Sequence, residues 1–204
     1  VDRAAHADHV VSVLVRIPAS SRRFLLVAGV LAVWLGDWPM TTMASVAQPR
    51  LLSAGNFTVM AASAITNTGA TTIKGNLGIS PNNASSVTGF PPGIVSGAKH
   101  EHDAVAIKAH TDLVTTYNDA AGATPFKNMT GVNLGGKTLI PGVYHFSSSA
   151  QLTGTLTLNG EGRKDAVFIF QIGSSLTTAS GSRVRLINGA NSCAVFWQVR
   201  SSAT

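Results

Sequence analysis

Four threonines in this chain each follow an apolar residue within segments that resemble one another. They are Thr66, Thr153, Thr177 and Thr204, which come directly after Ile65, Leu152, Leu176 and Ala203. Successive side chains of a β-strand point to opposite faces, so a buried apolar residue places the next threonine in solvent. Threonine offers a methyl group and a hydroxyl, and its β-branching restricts χ1. The pattern predicts a rigid, uncharged surface that contacts water rather than a reactive centre.

The surrounding segments form an internal repeat. Phe170–Thr177 matches Trp197–Thr204 at an offset of 27 residues, from Gln171 to Gln198. Weaker copies occur at Tyr144–Thr153, where Phe146 corresponds to Ile172 at an offset of 26, and at Ala62–Thr71. A period near 26 is typical of one coil of a β-solenoid, and a single coil buries its apolar face only by stacking on neighbours.

Strand and turn patterns agree with stacked coils. Thr155–Leu158 and Arg183–Leu186 alternate polar and apolar residues, as half-buried strands do. Turn signals separate the strand-like runs, namely Gly135-Gly136, Pro141-Gly142, Asn159-Gly160 and Asn188-Gly189. If the four repeats stack in register, their threonines form one column with a spacing of about 4.7–4.9 Å. We expect Thr68 and Thr155 to begin a second column beside it.

One segment predicts a helix instead. Between Ala98 and Ala121, apolar residues recur at helical spacing along one stripe, formed by Ala98, Val105, Ala109, Leu113, Tyr117 and Ala121. Gly122 is a candidate C-cap. Ile107 and Val114 lie off the stripe and either widen it or contact something else. A lone amphipathic helix must bury its stripe, and the flank of the coils is the available surface.

Composition excludes several classes of protein. The 204 residues include 15 basic and 9 acidic residues but 20 serines and 20 threonines, with 45% hydrophobic residues. Disorder and a disulfide scaffold are excluded, because the apolar content is high and Cys193 is the only cysteine. The basic residues after position 47 are scattered, with only Arg163 and Lys164 adjacent, whereas binding to nucleic acid needs clustered charge.

The first 47 residues predict an export signal with an upstream extension. Arg22-Arg23 precede a twelve-residue apolar run, Phe24–Leu35, and Ser45-Val46-Ala47 offers small residues for a signal peptidase. The run is short for a bilayer crossing, so a membrane anchor is the weaker alternative. We expect a secreted mature chain that begins near Gln48, remains outside the membrane and is possibly associated with the cell surface.

Other constellations give weak signals. His100-Glu-His-Asp103 contains metal-ligand residue types, but adjacent residues on a helix point apart, and acidic residues there simply favour the helix N-terminus. We therefore expect no metal and no cofactor. Cys193 beside a strand-like run predicts a buried, inert thiol. Glu161 and Asp165 are the only acids from Gly135 onward, which argues against a solenoid polysaccharide lyase or hydrolase, since those enzymes need clustered catalytic groups.

The stretches that carry the repeat resemble the secreted ice-binding, or antifreeze, proteins of bacteria and fungi. The matching segments are Ala61–Pro81, Thr88–Gly93, Asp112–Gly122, Gly135–Tyr144, Leu152–Asn159, Ala166–Leu186 and Val195–Thr204. The resemblance implies a mostly β fold, a right-handed triangular β-solenoid with one long α-helix along its side, spanning residues 48–204. It departs from the family at Arg200, where the family prefers glycine, and at Thr204, after which the family continues into strands that insert beside the first coil. We therefore expect a C-terminally incomplete domain.

The resemblance also implies a function. It predicts a non-enzymatic protein that adsorbs to ice and restrains ice growth and recrystallisation, with an ordered water layer between protein and crystal. Thr68-Gly-Ala-Thr71 is similar to the Thr-(Ala/Gly)-x-(Thr/Asn) motif of the family's ice-binding face, so Thr71 joins the six threonines named above as candidate site residues. We expect a monomer whose partner is the ice surface and which has no small-molecule substrate. A non-catalytic adhesin or structural module with the same fold is the alternative.

Overall fold

The computed structural model of the protein describes residues 45–204. The predicted export signal and upstream extension therefore lie outside the described residues, except for Ser45, Val46 and Ala47. The described part is mostly β with one long helix, as predicted. Within residues 45–204, no helix combines the length and apolarity that a bilayer crossing needs.

Sixteen short strands account for the β structure of residues 45–204. In chain order they are β1 Phe57–Ala61, β2 Ile65–Thr66, β3 Thr72–Ile73, β4 Asn76–Ile79, β5 Val87–Thr88, β6 Ile94–Val95, β7 Lys99–Glu101, β8 Lys127–Asn128, β9 Thr138–Leu139, β10 Gly142–Phe146, β11 Ala150–Leu152, β12 Thr155–Asn159, β13 Phe168–Ile172, β14 Leu176–Thr178, β15 Arg183–Ile187 and β16 Val195–Val199. The helix, α1, spans Ala104–Gly122 and follows β7. Short 3-10 segments lie at Leu52–Asn56, Ala84–Ser86 and Ser192–Ala194.

The strands build stacked coils with three side walls. Every strand pair is parallel and joins strands from successive coils. We call the wall formed by β1, β4, β7, β8, β10, β13 and β16 the helix wall, because α1 packs on it. The hydroxyl wall contains β2, β5, β11 and β14, and the basic wall contains β3, β6, β9, β12 and β15. The predicted stacking of coils is confirmed.

Two stacks of coils have different periods. In the second stack, Phe146 pairs with Ile172 and Gln171 with Gln198, which are the offsets of 26 and 27 residues read from the sequence. In the first stack, Ile65 pairs with Val87 at an offset of 22. The expectation of one period near 26 for all four repeats is therefore wrong for Ala62–Thr71, because the first coils have shorter strands on two of their walls.

The interior of the second stack is a column of aromatic and aliphatic side chains. Tyr144 stacks on Phe170 at 5.5 Å between ring centroids, and Phe170 stacks on Trp197 at 4.1 Å. Phe146 and Phe168 are fully buried in the same cluster. Because equivalent positions of successive coils carry aromatic rings, the parallel register places ring upon ring and fixes the spacing of the strands that bear the outer residues.

The helix begins later than predicted. Residues 99–101 form β7, because Lys99, His100 and Glu101 pair with β4, and α1 starts after Asp103. The Asp103 carboxylate accepts a hydrogen bond from the Ala106 amide at 2.8 Å, which makes it the N-cap. The reading of this acidic residue as a helix N-terminal group is thus confirmed. Gly122 is the last helical residue rather than the C-cap.

The buried stripe of α1 is rotated from the predicted one. Ala109 and Leu113 are buried as expected, but Val105 and Ala121 are exposed. The true stripe also contains polar residues, and its members are Ala106, Ala109, Asp112, Leu113, Thr116 and Ala120. A pattern of apolar residues alone misses it, because Asp112 and Thr116 are buried through hydrogen bonds. Ile107 and Val114 face solvent.

Hydrogen bonds fasten α1 at both ends. Asp112 accepts hydrogen bonds from the backbone amide and the hydroxyl of Ser53, and from Lys108 Nζ at 3.1 Å. Near the other end, Gln171 on β13 donates through Nε2 to the carbonyls of Ala120, Ala121 and Ala123, at 2.9, 3.1 and 2.7 Å. These carbonyls have no partner within the helix itself, so Gln171 satisfies them from the wall below.

The two stacks face each other across a cleft. β1 is the last strand of the first stack on the helix wall, and β16 is the last strand of the second. Residues of both strands, among them Phe57, Thr58, Val195 and Phe196, line a cleft of about 320 Å³. The facing sides of β1 and β16 pair with no strand of residues 45–204.

Candidate functional site

The hydroxyl wall carries the first candidate residue. Thr66 ends β2 and pairs with Thr88 of β5, and both threonines are exposed while their neighbours Ile65 and Val87 turn inward. Two threonines in register on adjacent parallel strands lie about one strand spacing apart. The first stack therefore presents a pair of methyl-and-hydroxyl side chains on this wall.

Thr68 and Thr71 lie in the loop between β2 and β3, and both are exposed. Asn67 holds this loop against the next coil, because its Nδ2 donates to the carbonyls of Gly69 at 2.5 Å and Gly89 at 2.9 Å. Gly89 allows the close approach, since a Cβ there would lie 1.8 Å from the Asn67 carbonyl oxygen, and its φ is +81°. The motif is therefore anchored at the end of the hydroxyl wall, next to Thr66.

The second stack has a different register from the one expected. Thr177 of β14 pairs with Gln151 of β11, not with Thr153. On the other side, the bridge between Leu176 and Ala203 places Thr204 next to Thr177. The column in this stack is thus Gln151, Thr177 and Thr204, and the prediction that Thr153 belongs to it is wrong.

The error has a structural origin. Matching the two Leu-Thr pairs implies an offset of 24 residues between Thr153 and Thr177, whereas the strands pair at 26. The next strands, β12 and β15, pair at 28, from Thr155 to Arg183, so the later coil has two extra residues at this corner. Thr153 is exposed at the corner itself, where its amide donates to Asn133 Oδ1 at 3.1 Å.

Thr155 lies on a different wall. It begins β12 of the basic wall and pairs with Arg183, and it is half-buried. Its neighbours in the outward pattern are Thr157, which pairs with Thr138 and Arg185. The expectation that Thr155 starts a second column beside Thr153 is wrong, because Gly154, with a φ of +89°, turns the chain between the two threonines.

The four aligned threonines therefore do not form one continuous column. Thr66 belongs to the first stack, and Thr177 and Thr204 belong to the second. Sequence reasoning missed Thr88 and Gln151, which complete the two partial columns. The dipeptide Val87-Thr88 repeats the pattern of Ile65-Thr66, and the offset of 26 applied to Thr177 points to Gln151, so both signals were present in the sequence.

The three walls differ in charge and in accessibility. The helix wall is covered by α1. The basic wall carries exposed Arg183 and Arg185 on β15, with Lys74 and Lys137 directly beside β3 and β9. None of the strands of the hydroxyl wall contains a charged residue. Among the three walls of residues 45–204, the hydroxyl wall is the one that is both uncovered and uncharged.

Charged side chains elsewhere pair in structural roles. The Arg163 guanidinium, followed by the Ser45 hydroxyl, lowers the pKa of Asp165 to about 2. The amide of Ala106, followed by His100, lowers the pKa of Asp103. Within residues 45–204, no group of histidine, cysteine and acidic residues has the arrangement of a metal site.

Cys193 is exposed, so the prediction of a buried thiol is wrong. It lies in the 3-10 segment that precedes β16, where the neighbouring residue Ala194 takes the buried position.

Comparison with known proteins places this geometry in one family. A family model described as Ice-binding-like matches residues 59–204. An ice-binding protein from Nostoc sp. (strain HG1) is 53% identical over 152 residues, covering 74% of this chain and 55% of the relative. An ice-binding protein from Colwellia sp. is 35% identical over 161 residues, covering 72% of this chain and 62% of the relative. The chain therefore spans somewhat more than half the length of these two relatives.

Solved structures agree with the fold. The crystal structure of an ice-binding protein from an Antarctic biological consortium has a TM-score of 0.75 at 44% identity, covering 82% of this chain and 75% of that one. The ice-binding protein of the Antarctic ascomycete Antarctomyces psychrotrophicus has a TM-score of 0.72 at 34% identity, covering 78% of each chain. On the match to the family model and these similarities, the chain belongs to the Ice-binding-like family.

Proposed function

We propose that this domain adsorbs to ice through its hydroxyl wall and thereby restrains the growth and recrystallisation of ice. The observation that carries the proposal is the contrast between the walls, since only the hydroxyl wall is both uncovered and free of charge. The proteins to which the chain is similar are named ice-binding proteins, which supports ice as the partner.

The side chains of this wall suit the ordering of water. Thr66 and Thr88 in one stack, and Thr177 and Thr204 in the other, each offer a methyl group beside a hydroxyl at strand spacing. Stiff β-branched side chains lose little conformational entropy when water or ice is immobilised on them. A charged side chain would bind water strongly and irregularly, so the absence of charge preserves a regular layer. Each hydroxyl contributes little, and the regular set acts together.

The loop motif extends the same surface. Thr68 and Thr71 are exposed at the end of the wall that bears Thr66, and Asn67 fixes the loop that carries them. We include Gln151 as an amide neighbour of Thr177, and we assign Thr153 to the rim of the surface because it lies at a corner. Thr155 has no role in this proposal, since it faces outward on the basic wall.

The remaining features of the proposal follow from the sequence. We propose that the coils form a right-handed triangular solenoid, the handedness that parallel crossover connections adopt in nearly all proteins. The apolar run after Arg22-Arg23 supports secretion, and the scarcity of clustered carboxylates supports a non-enzymatic protein that needs no cofactor. We propose that it acts as a monomer.

An ice-recrystallisation assay on the purified chain tests the assignment of the wall. We expect Thr177→Lys to abolish most of the inhibition, because a long charged side chain interrupts the regular water layer. Thr138→Lys is the matched control, since Thr138 is an exposed strand threonine on the basic wall and should leave inhibition unchanged. Circular dichroism of both variants checks that the fold is kept.

The outcomes separate the competing functions. Equal loss in both variants would contradict the assignment to the hydroxyl wall. A wild-type chain that leaves ice crystals unchanged would contradict ice binding itself and favour an adhesin or structural module.

A further inference from the structure

Two Asn-Gly turns occupy the same corner of successive coils. Asn159-Gly160 follows the run of β12, and Asn188-Gly189 follows β15, one coil later. Asn188 Nδ2 donates a hydrogen bond to Asn159 Oδ1 at 2.9 Å, so the two side chains tie the coils together. These turns take no part in the proposed ice-binding surface.

An Asn-Gly sequence can modify itself. The backbone nitrogen of the glycine attacks the side-chain carbonyl carbon of the asparagine, a new C–N bond forms, and ammonia leaves. Water then opens the resulting succinimide at either carbonyl, which gives aspartate or isoaspartate. The reaction needs no oxidant or reductant, and it needs a glycine nitrogen that is not already engaged as a hydrogen-bond donor.

The glycine nitrogens of the two turns differ in this respect. Gly160 N donates to the Ile187 carbonyl at 3.0 Å, and Gly160 is buried, with a position for Cβ only 2.4 Å from the Ala190 nitrogen. Gly189 N makes no hydrogen bond to any part of the chain from residue 45 to residue 204, and Asn188 and Gly189 are both exposed. The difference arises because β15 is an edge strand of its sheet.

The asparagine side chains differ in the same direction. Asn159 Oδ1 accepts two hydrogen bonds, from the Glu161 amide at 3.0 Å and from Asn188. Asn188 makes only the one bond to Asn159, at the surface. Rotation of the Asn188 side chain toward Gly189 N therefore disrupts less structure than the equivalent rotation of Asn159.

We propose that Asn188 is a site of spontaneous deamidation in the folded protein and that Asn159, although it carries the same sequence motif, is protected by the fold. Conversion of Asn188 replaces the amide that donates to Asn159 Oδ1 with a carboxylate that cannot donate. The tie between the coils at this corner is lost, and a negative charge is added beside an oxygen that already carries partial negative charge.

Peptide mapping by mass spectrometry of the full chain, incubated folded at mildly alkaline pH, tests the proposal. We expect the amide-to-acid conversion at Asn188 to be at least about fivefold faster than at Asn159, the factor for opening one hydrogen bond of ordinary net strength. In denaturant we expect the two sites to react at similar rates, because the protection of Asn159 comes from the fold. Isoaspartate at Asn188 should be detectable as a substrate for an isoaspartyl methyltransferase.

The result that would overturn the proposal is equally specific. Equal rates at the two sites in the folded chain, or an absence of conversion at Asn188, would contradict it. A lead of Asn188 that persists unchanged in denaturant would assign the difference to neighbouring sequence and not to the structure. Neither result depends on ice binding.

Discussion

At the scale of single residues, a few buried polar side chains fasten the helix to the coils. Gln171 donates to three carbonyls at the C-terminal end of α1, and Asp112 accepts from Ser53 and Lys108 near the middle of the same helix. Both residues are buried. Within residues 45–204, no buried side-chain nitrogen or oxygen lacks a hydrogen-bond partner. Polar contacts of this kind cost more when one partner is removed than they contribute when complete.

Replacement of the Gln171 amide should measure this effect. Gln171→Met keeps the side-chain length but leaves the carbonyls of Ala120, Ala121 and Ala123 without their donor. We expect the free energy of unfolding to fall by about 1–3 kcal/mol in urea denaturation. Gln198→Met is the matched control, because Gln198 pairs with Gln171 on β16 and makes no side-chain hydrogen bond within residues 45–204. An equal loss in the two variants would contradict the role given to Gln171.

Acid should weaken the attachment of α1. Hydrogen bonds from Ser53, followed by Lys108, lower the pKa of Asp112 from its ordinary value of 3.8. The folded state therefore favours the carboxylate, so this contribution to stability is complete above pH 3.8 and is lost as pH falls through the lowered pKa. We expect Asp112→Asn to reduce the slope of stability against pH on the acid side, measured by thermal melts. Asp119→Asn, an exposed carboxylate of the same helix, should keep the wild-type slope.

At the scale of elements, some features could be predicted from the sequence and others could not. The strands of the second stack were accessible because equivalent residues recur at 26 or 27 positions, as in Gln171 and Gln198. The corner after Leu152 was not, because two added residues shift the pattern while a Leu-Thr identity persists in the wrong register. The start of α1 was missed because pairing of β7 with β4 overrides a helical spacing in a segment that either structure could accommodate.

The register of the second stack gives a direct prediction about the candidate site. Gln151 lies beside Thr177 within the hydroxyl wall, whereas Thr153 lies at its rim. If ice binds this wall, Gln151→Lys should reduce inhibition of recrystallisation more than Thr153→Lys, because the charge enters the middle of the surface. Both positions are exposed, so both variants should fold. The opposite ranking would favour the alignment by Leu-Thr identity over the observed pairing.

The rotated stripe of α1 can be tested by overpacking. Ala106 is fully buried against the coils, while Val105 is 50% exposed. We expect Ala106→Leu to lower the free energy of unfolding by about 1–3 kcal/mol, because added methylenes in a packed interior force shifts. Alanine and leucine have similar helix propensities, so the loss would come from packing. Val105→Leu should change stability by less than about 0.5 kcal/mol, and a larger effect there would support the stripe read from apolar spacing.

At the scale of the whole molecule, the coils depend on contacts between neighbours. Each coil buries its apolar residues only against the coils above and below, and the column of Tyr144, Phe170 and Trp197 connects three of them. The same coils present Gln151, Thr177 and Thr204 on the hydroxyl wall and support α1 on the helix wall. The spacing of the outer threonines therefore depends on the packing of the inner rings.

Removal of the central ring should destabilise every wall at once. Phe170 is fully buried between Tyr144 and Trp197, so Phe170→Ala should lower the free energy of unfolding by about 3–5 kcal/mol. Phe126→Ala is the control, since Phe126 touches the end of the column edge-on and is 50% exposed. We expect the far-ultraviolet dichroism, which follows α1 and the strands, and the fluorescence of the tryptophans to change at one shared temperature in the Phe170 variant. A helix signal that melts separately would show that α1 does not depend on the aromatic column, and the coupling argued here would then be wrong.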